Sequence, residues 1–306
     1  MVTVVVQGMV IHVTLRHNRA MRWSGDQRVT DTFSTAVAQL ADPRPPVRLG
    51  GLYTLEFIGQ DNPAQRPAVA DVICAYLRMP WAATNDDVPV RRAAQQILAR
   101  HLRPVHRLAF WPGIGLDLTG AHLIGLDLTG CRVDGVASFD RAVLHESTMA
   151  RGTVFCSDAR FRGAVFTSDA WFDTAVFHAA AHFETATFHG DAWFGGVDIA
   201  SSAGFSGVVF NGHAWFAAAV LRGRATFNDA IFQRSAGFRG ARCDDGVVLA
   251  GATFRGPARV SRRGDGWNIC PPGWRVATDP DNEAVGHLHW AGALDSPDTR
   301  STVAPA

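Results

Sequence analysis

From residue 155 to residue 260, large apolar side chains recur at alternating intervals of six and five residues, at 155, 161, 166, 172 and 177 and so on to 254 and 260. All twenty of these positions are apolar, fifteen are Phe, and every Phe between 155 and 254 occupies one of them. Two residues before each, sixteen of the twenty positions are Ala. Aligned by elevens, the chain reads ARFRGAVFTSD from 159, AWFDTAVFHAA from 170, AHFETATFHGD from 181 and AWFGGVDIASS from 192, fading to ARVSRRGDGWN. In extended backbone alternate side chains share a face, so each Ala and its Phe point one way and the residue between them points the other. Only three residues are extended before a pair rich in Gly, Asp, Asn, Ser or Thr turns the chain. A spacing of five or six excludes long helices, whose apolar stripe recurs every three to four residues. So short a strand buries its apolar face only by stacking on copies of itself, which also pairs the backbones as a parallel ladder.

The first third follows a different period. Three-to-four-residue apolar spacing predicts helices over 31–40 (Phe33, Val37, Leu40), 47–58 (Leu52, Leu55, Ile58), 69–77 and 88–102 (Ile97, Leu98). Pro43, Pro45, Pro46, Pro67, Pro80 and Pro104 punctuate the junctions, as expected of residues that start or stop helices. Helix pairs of this length suggest a small HEAT-like or armadillo-like module. The fold class is therefore α+β multidomain, a small helical module followed by a β-solenoid.

Upstream of the eleven-residue repeat, GLDLTGAHLIGLDLTGCRV sets Leu118, Leu123, Leu128 and Val133 at strict five-residue spacing. With the repeats that follow, these residues resemble the pentapeptide-repeat proteins and their A-(D/N)-L-x-x units. The resemblance implies a right-handed quadrilateral β-helix with four units per coil. Four units from Val133 to Phe155, or from Phe155 to Phe177, take 22 residues, which gives a four-sided coil with two lengthened corners. Nearly seven coils fit between Leu118 and Val260, a rod roughly 30 Å long at about 4.8 Å per coil. The segments VRLGGLYTLEFI (47–58), DVICAYLRMP (71–80) and ILARHLRP (97–104) are similar to a module preceding such repeats in bacterial relatives, where transmembrane helices often come before it. The expected organisation is an apolar and basic stub at 1–27, the helical module at 28–104, the β-helix at 113–263, a cap at 264–277 and a disordered tail at 278–306. The cap expectation rests on the need to cover an open β-edge; the tail expectation rests on polar, proline-containing composition.

Composition narrows the function classes. The 306 residues are 47% apolar with a formal net charge of +1, and all 29 basic residues are Arg, a coding-bias signature to which no function attaches. Near-neutrality argues against a nucleic-acid binder. Five widely spaced cysteines with no C-x-x-C pair argue against a disulfide framework or a zinc site and for a reducing, cytoplasmic setting. The apolar stretch Val2 to Leu15 is interrupted by Gln7 and His12 and falls short of the roughly 20 residues of a membrane span. It also lacks a signal peptide's basic region and cleavage site, so membrane association rests on the resemblance.

No phosphate loop, dinucleotide fingerprint, zinc-protease helix or nucleophile elbow is present. GIGLDLTG at 113–120 has the glycines of a phosphate loop but lies in repeat register. His178, His182 and His189 cluster in sequence, yet successive units fall on different sides of a coil, so they are expected to be turn residues rather than metal ligands. Cys131 and Cys243 fall at inward positions and are expected to act as small core hydrophobes. No cofactor, metal or enzymatic activity is expected. The outward positions carry the candidate site. Trp171, Trp193 and Trp215 are 22 residues apart and stack on one side, and the adjoining side shows Val143, Val165, Thr187, Val209, Ile231 and Thr253. Trp171, Trp193, Trp215, Val165, Val209 and Ile231 are the expected partner-binding residues, since exposed apolar strips mark interaction surfaces. β-Branched residues also simply suit extended backbone. Residues 158–198 carry six acids against two arginines, and 222–263 nine arginines against three acids, an asymmetry that can steer association. The expected function is a non-enzymatic scaffold binding a protein partner or a second copy. One alternative is a membrane-proximal assembly protein anchored near its N-terminus. Another, implied by the resemblance, is a gyrase-binding DNA mimic, but 14 acids against 12 arginines over 117–260 are too few to replace a phosphate backbone.

Overall fold

A computed structural model of the chain describes residues 2–6, 9–13, 25–81, 86–263, 266–267, 274–279, 282–290 and 302–303. Val2–Val6 pairs antiparallel with Met9–Val13, so the apolar stretch forms a hairpin. Among the described residues no helix is long and apolar enough to cross a membrane. The predicted helices appear as α1 (Gly25–Gln39), α2 (Pro45–Asp61), α3 (Arg66–Arg78) and α4 (Val88–His101). Prolines occupy the first turns of α2, α3 and α4, where a missing N–H costs nothing. Leu52, Leu55, Val69, Ile73, Leu77, Val90 and Ile97 are buried between the helices.

Residues 116–259 form a parallel β-solenoid. Its two- and three-residue strands stack into four sheets, here called faces I to IV in chain order. Face I runs from Leu116–Asp117 through Ala159–Arg160 to Val247–Val248, and face II from His122–Ile124 through Val165–Phe166 to Thr253–Phe254. Face III runs from Thr148–Met149 through Ala170–Trp171 to Ala236–Gly237 and Ala258–Arg263, and face IV from Arg132–Val133 through Val154–Phe155 to Arg242–Cys243. Ala159 pairs with Ala181, Val165 with Thr187, Ala170 with Ala192 and Val176 with Asp198, so the coil is the expected 22 residues. The first coil is tighter: Leu116 pairs with Ala137 and His122 with Val143, a step of 21.

The inward columns explain the choice of Phe. Phe139, Phe161, Phe183, Phe205 and Phe227 stack in one ladder with centroids 4.8–5.0 Å apart. Phe166, Phe188, Phe210, Phe232 and Phe254 form a second at 4.4–5.1 Å, and Phe172, Phe194, Phe216 and Phe238 a third at 4.9–5.2 Å. Neighbouring ladders meet edge to face, as Phe172 meets Phe183 at 5.4 Å and 85°, the geometry aromatic quadrupoles favour. The Ala two residues earlier leaves the room each ring needs. The short corners are β-turns, as where Ala164 N–H donates to Phe161 C=O, and their third residue has positive φ, Gly163 at 62° and Ala218 at 57°. At the longer corners carboxylates bind the next coil: Asp169 accepts from Asp191 N–H and Asp191 from His213 N–H, both at 2.8 Å.

The first coil has an open backbone edge, and side chains of the helical module close it. Gln95 acts as a strand: its amide donates to Ile124 C=O and accepts from Ile124 N–H, both at 2.8 Å. The buried Arg91 donates to Leu77 C=O (2.8 Å), Met79 C=O (2.6 Å), His122 C=O (3.3 Å) and the Asp87 carboxylate (2.7 Å). Arg78 caps Asp117 C=O, and Arg103 caps Asp127 C=O and Thr129 C=O. Leu102 C=O accepts from Arg132 N–H at 2.7 Å.

At the other end face III continues into antiparallel strands, Ala258–Arg263 against Asn282–Trp290 against Trp274–Asp279. Thr302–Val303 pairs with Thr253–Phe254 on face II. The expectation of a disordered tail from 278 is corrected for residues 278–279, 282–290 and 302–303, which are strands; the rest of that tail lies outside the described residues, as does most of 264–273. The physical reason is the alternation His287–Leu288–His289–Trp290, with Leu288 buried, a strand signal too short to stand out among Asp and Pro.

Replacing Gln95 by Leu keeps the volume and strands Ile124 N–H and C=O without partners. The expected loss is about 2–5 kcal/mol of unfolding free energy, read by urea titration, with faster hydrogen exchange at the Ile124 amide.

Candidate functional site

The candidate residues are positioned by the coil's two-fold alternation. Ala170, Ala192 and Ala214 point inward on face III and are fully buried, so Trp171, Trp193 and Trp215 point out, each half-buried. Trp171 and Trp193 lie 4.8 Å apart with planes within 2°, and Trp193 and Trp215 5.7 Å apart at 28°. The Arg151 guanidinium covers the free side of Trp171, 4.0 Å from the ring centroid. At the other end Trp215 lies over Gly237, where a Cβ would stand 2.7 Å from the indole. His213 stacks beside Trp215 at 5.6 Å. The ring faces are thus spent on one another, and indole edges are what the column presents. Nε1 of Trp193 and of Trp215 is buried in the stack without a hydrogen-bond partner.

On adjoining face II the outward column is Val143, Val165, Thr187, Val209, Ile231 and Thr253 in register. The structure thus brings Val165, Val209 and Ile231 into one column beside the tryptophans. Its first end is covered. Trp81, from the link after α3, packs edge-on against His145 (4.8 Å, 66°) and on His122 (5.5 Å), and His122 Nδ1 lies 3.1 Å from His145 Nε2. The other end pairs with Thr302–Val303. Sequence reasoning missed this Trp81–His122–His145 cluster, because no period links residue 81 to 122 or 145.

Other sequence candidates fall apart in space. His182 lies on face I, 3.3 Å from a Glu184 carboxylate oxygen, while His189 follows face II and meets Asn211. Cys131 is buried, its Sγ donating to Ala99 C=O at 3.5 Å, and burial pushes its thiol up to about 12. Cys243 is half-buried and pushed to about 11, first by burial and then by the Asp244 charge.

A family model described as pentapeptide repeats, nine copies, matches residues 128–176. Residues 128–176 are therefore pentapeptide repeats, and the coils on either side of them are stacked in the same four-sided solenoid. No curated protein and no solved structure matches the chain. The geometry shows why the pentapeptide repeats read as elevens beyond residue 155: each pair of units spends one extra residue on a longer corner.

Two outcomes follow. Trp193→Leu removes both ring pairs of the outer stack and none of the core; the expected cost is about 1–3 kcal/mol, with loss of exciton-coupled indole circular dichroism and an unchanged β signal. Burial holds the His122 and His145 imidazoles below their ordinary value; His145 and Arg91 push His122 the same way, while Glu146 opposes the shift at His145. A lowered imidazole pKa means the unfolded chain binds more protons, so this stability is complete above pH about 6.5 and is lost as pH falls through the folded values. Unfolding midpoints from pH 8 to 5 are expected to drop for the native chain and to flatten for His122→Gln with His145→Gln.

Proposed function

We propose that this protein is a non-enzymatic scaffold whose solenoid binds a protein partner, or a second copy of itself, along faces II and III. The observation that carries this reading is the outward column Val165, Thr187, Val209 and Ile231, which lies between the two covered ends of face II with the tryptophan stack along its border. A rigid parallel ladder holds these side chains at coil spacing, so docking on them costs little ordering entropy. Their branched methyl groups make a flat apolar strip, and the stacked indoles add a stiff edge with which a partner's side chains can interdigitate. The pentapeptide-repeat fold fits this role, since stacked repeats create extended binding surfaces.

The test is a pair of charged substitutions on the strip, Val209→Glu and Ile231→Glu. Both positions face outward, so circular dichroism and the unfolding midpoint are expected to stay close to native. Crosslinked capture from the native cell extract, with sedimentation velocity of the purified protein, is expected to show a partner or a dimer that the double variant loses by tenfold or more. Identical captures and identical sedimentation for both proteins would remove the strip from the proposal.

A further inference from the structure

The helical module displays a second apolar surface that the solenoid reading does not use. Leu108 is 90% exposed, Val105 79%, Phe57 68% and Tyr53 51%. Tyr53 and Phe57 are one turn apart on the outer side of α2, and Gln60, one turn further, donates to Leu108 C=O at 2.7 Å. Helix and turn therefore form one surface. The turn is built to be rigid. His106 C=O accepts from Ala109 N–H (2.8 Å) and Phe110 N–H (2.9 Å), Trp111 N–H donates to His101 C=O (2.8 Å), and His101 Nδ1 holds Ala109 C=O (2.6 Å). Beneath it Trp111 is buried and stacked 3.9 Å from His101, and it fits only because position 59 is Gly, where a Cβ would stand 2.5 Å from the indole. A leucine fixed by this much ordered structure and left in water is displayed rather than merely unburied.

The chemistry around it selects the occupant. Residues 88–116 contain five arginines and no acid. Arg91, Arg92, Arg100 and Arg103 pair with Asp87, Glu146, Glu56 and Asp127, so of the five only Arg107, beside Leu108, has no carboxylate partner among the described residues. The apolar side chains stand out from a turn and a helix crest instead of lining a groove, so the surface suits a deformable apolar layer bounded by negative charge. We propose that Tyr53, Phe57, Val105 and Leu108 insert into the headgroup layer of an anionic lipid bilayer, with Arg107 at the phosphates. This surface is separate from faces II and III.

The test is flotation of the full chain with phosphatidylcholine vesicles and with vesicles containing about 30% phosphatidylserine. The expected result is flotation with the anionic vesicles alone, weakened by salt and by Arg107→Glu. Phe57→Ser with Leu108→Ser is expected to lower the bound fraction about tenfold, with circular dichroism and unfolding midpoint unchanged because both side chains are exposed. No flotation of the folded native chain, or equal flotation of the double variant, overturns the proposal. So does a native dimer that the double variant turns monomeric without any lipid dependence, which gives the surface to a second copy. Loss of capture by Val209→Glu and Ile231→Glu bears only on the solenoid strip, so the two readings fail separately.

Discussion

A coil of two-residue strands has no interior of its own. Each strand satisfies its backbone only through the coil before and the coil after, and each Phe is covered only when a second Phe lies 4–5 Å above or below it. Stability in such a stack is a sum over nearest neighbours, so it fails first at the ends, where one neighbour is missing. The other parts of the molecule answer that constraint. Ladders of one residue type run down the middle, and structure of a different kind covers each end.

The two ends solve the problem with opposite chemistry. At the C-terminal end the backbone supplies partners, as face III passes from parallel to antiparallel pairing with Asn282–Trp290. At the N-terminal end side chains imitate backbone. Gln95 presents one donor and one acceptor with the spacing of a peptide group, and the arginines at 78, 91 and 103 supply donors alone, matching carbonyls that point out of the first coil. Arg91 is nearly inaccessible yet fully engaged, with three carbonyls and a carboxylate about its guanidinium. A planar, permanently charged fork suits that task where a lysine would not.

How much of this the sequence disclosed follows from the range of each interaction. The inward columns, the 22-residue coil and its two longer corners were legible because the stack repeats one local rule, and nineteen of the twenty predicted positions are buried, Cys243 alone being half-buried. The helices were legible from apolar spacing and prolines, with α1 starting at Gly25 rather than 31. The Trp column was placed correctly, but its ring faces proved to be occupied by Arg151, by each other and by the ring over Gly237, a matter of side-chain orientation that periodicity does not encode. Gln95, Arg91 and the pair His122–His145 read as ordinary polar residues because their roles exist only across elements. Six of the left-handed corner positions carry Arg141, Glu146, Thr174, Thr185, Ala218 and Asp229 rather than Gly, so composition alone could not mark every turn.

The repeat in the sequence and the repeat in space differ by a factor of two. The core counts in elevens, since Ala-x-Phe on face I is interchangeable with Ala-x-Phe on face III. The outer surface counts in twenty-twos, since Trp171, Trp193 and Trp215 alternate with Arg160, His182 and Gly204. Gaining or losing 22 residues would lengthen or shorten the rod by one storey and leave every surface in phase. A change of eleven would keep the interior packed while turning everything beyond it half a revolution, carrying the later tryptophans to the opposite side. The interior of this rod measures its length, and the surface alone keeps its bearing.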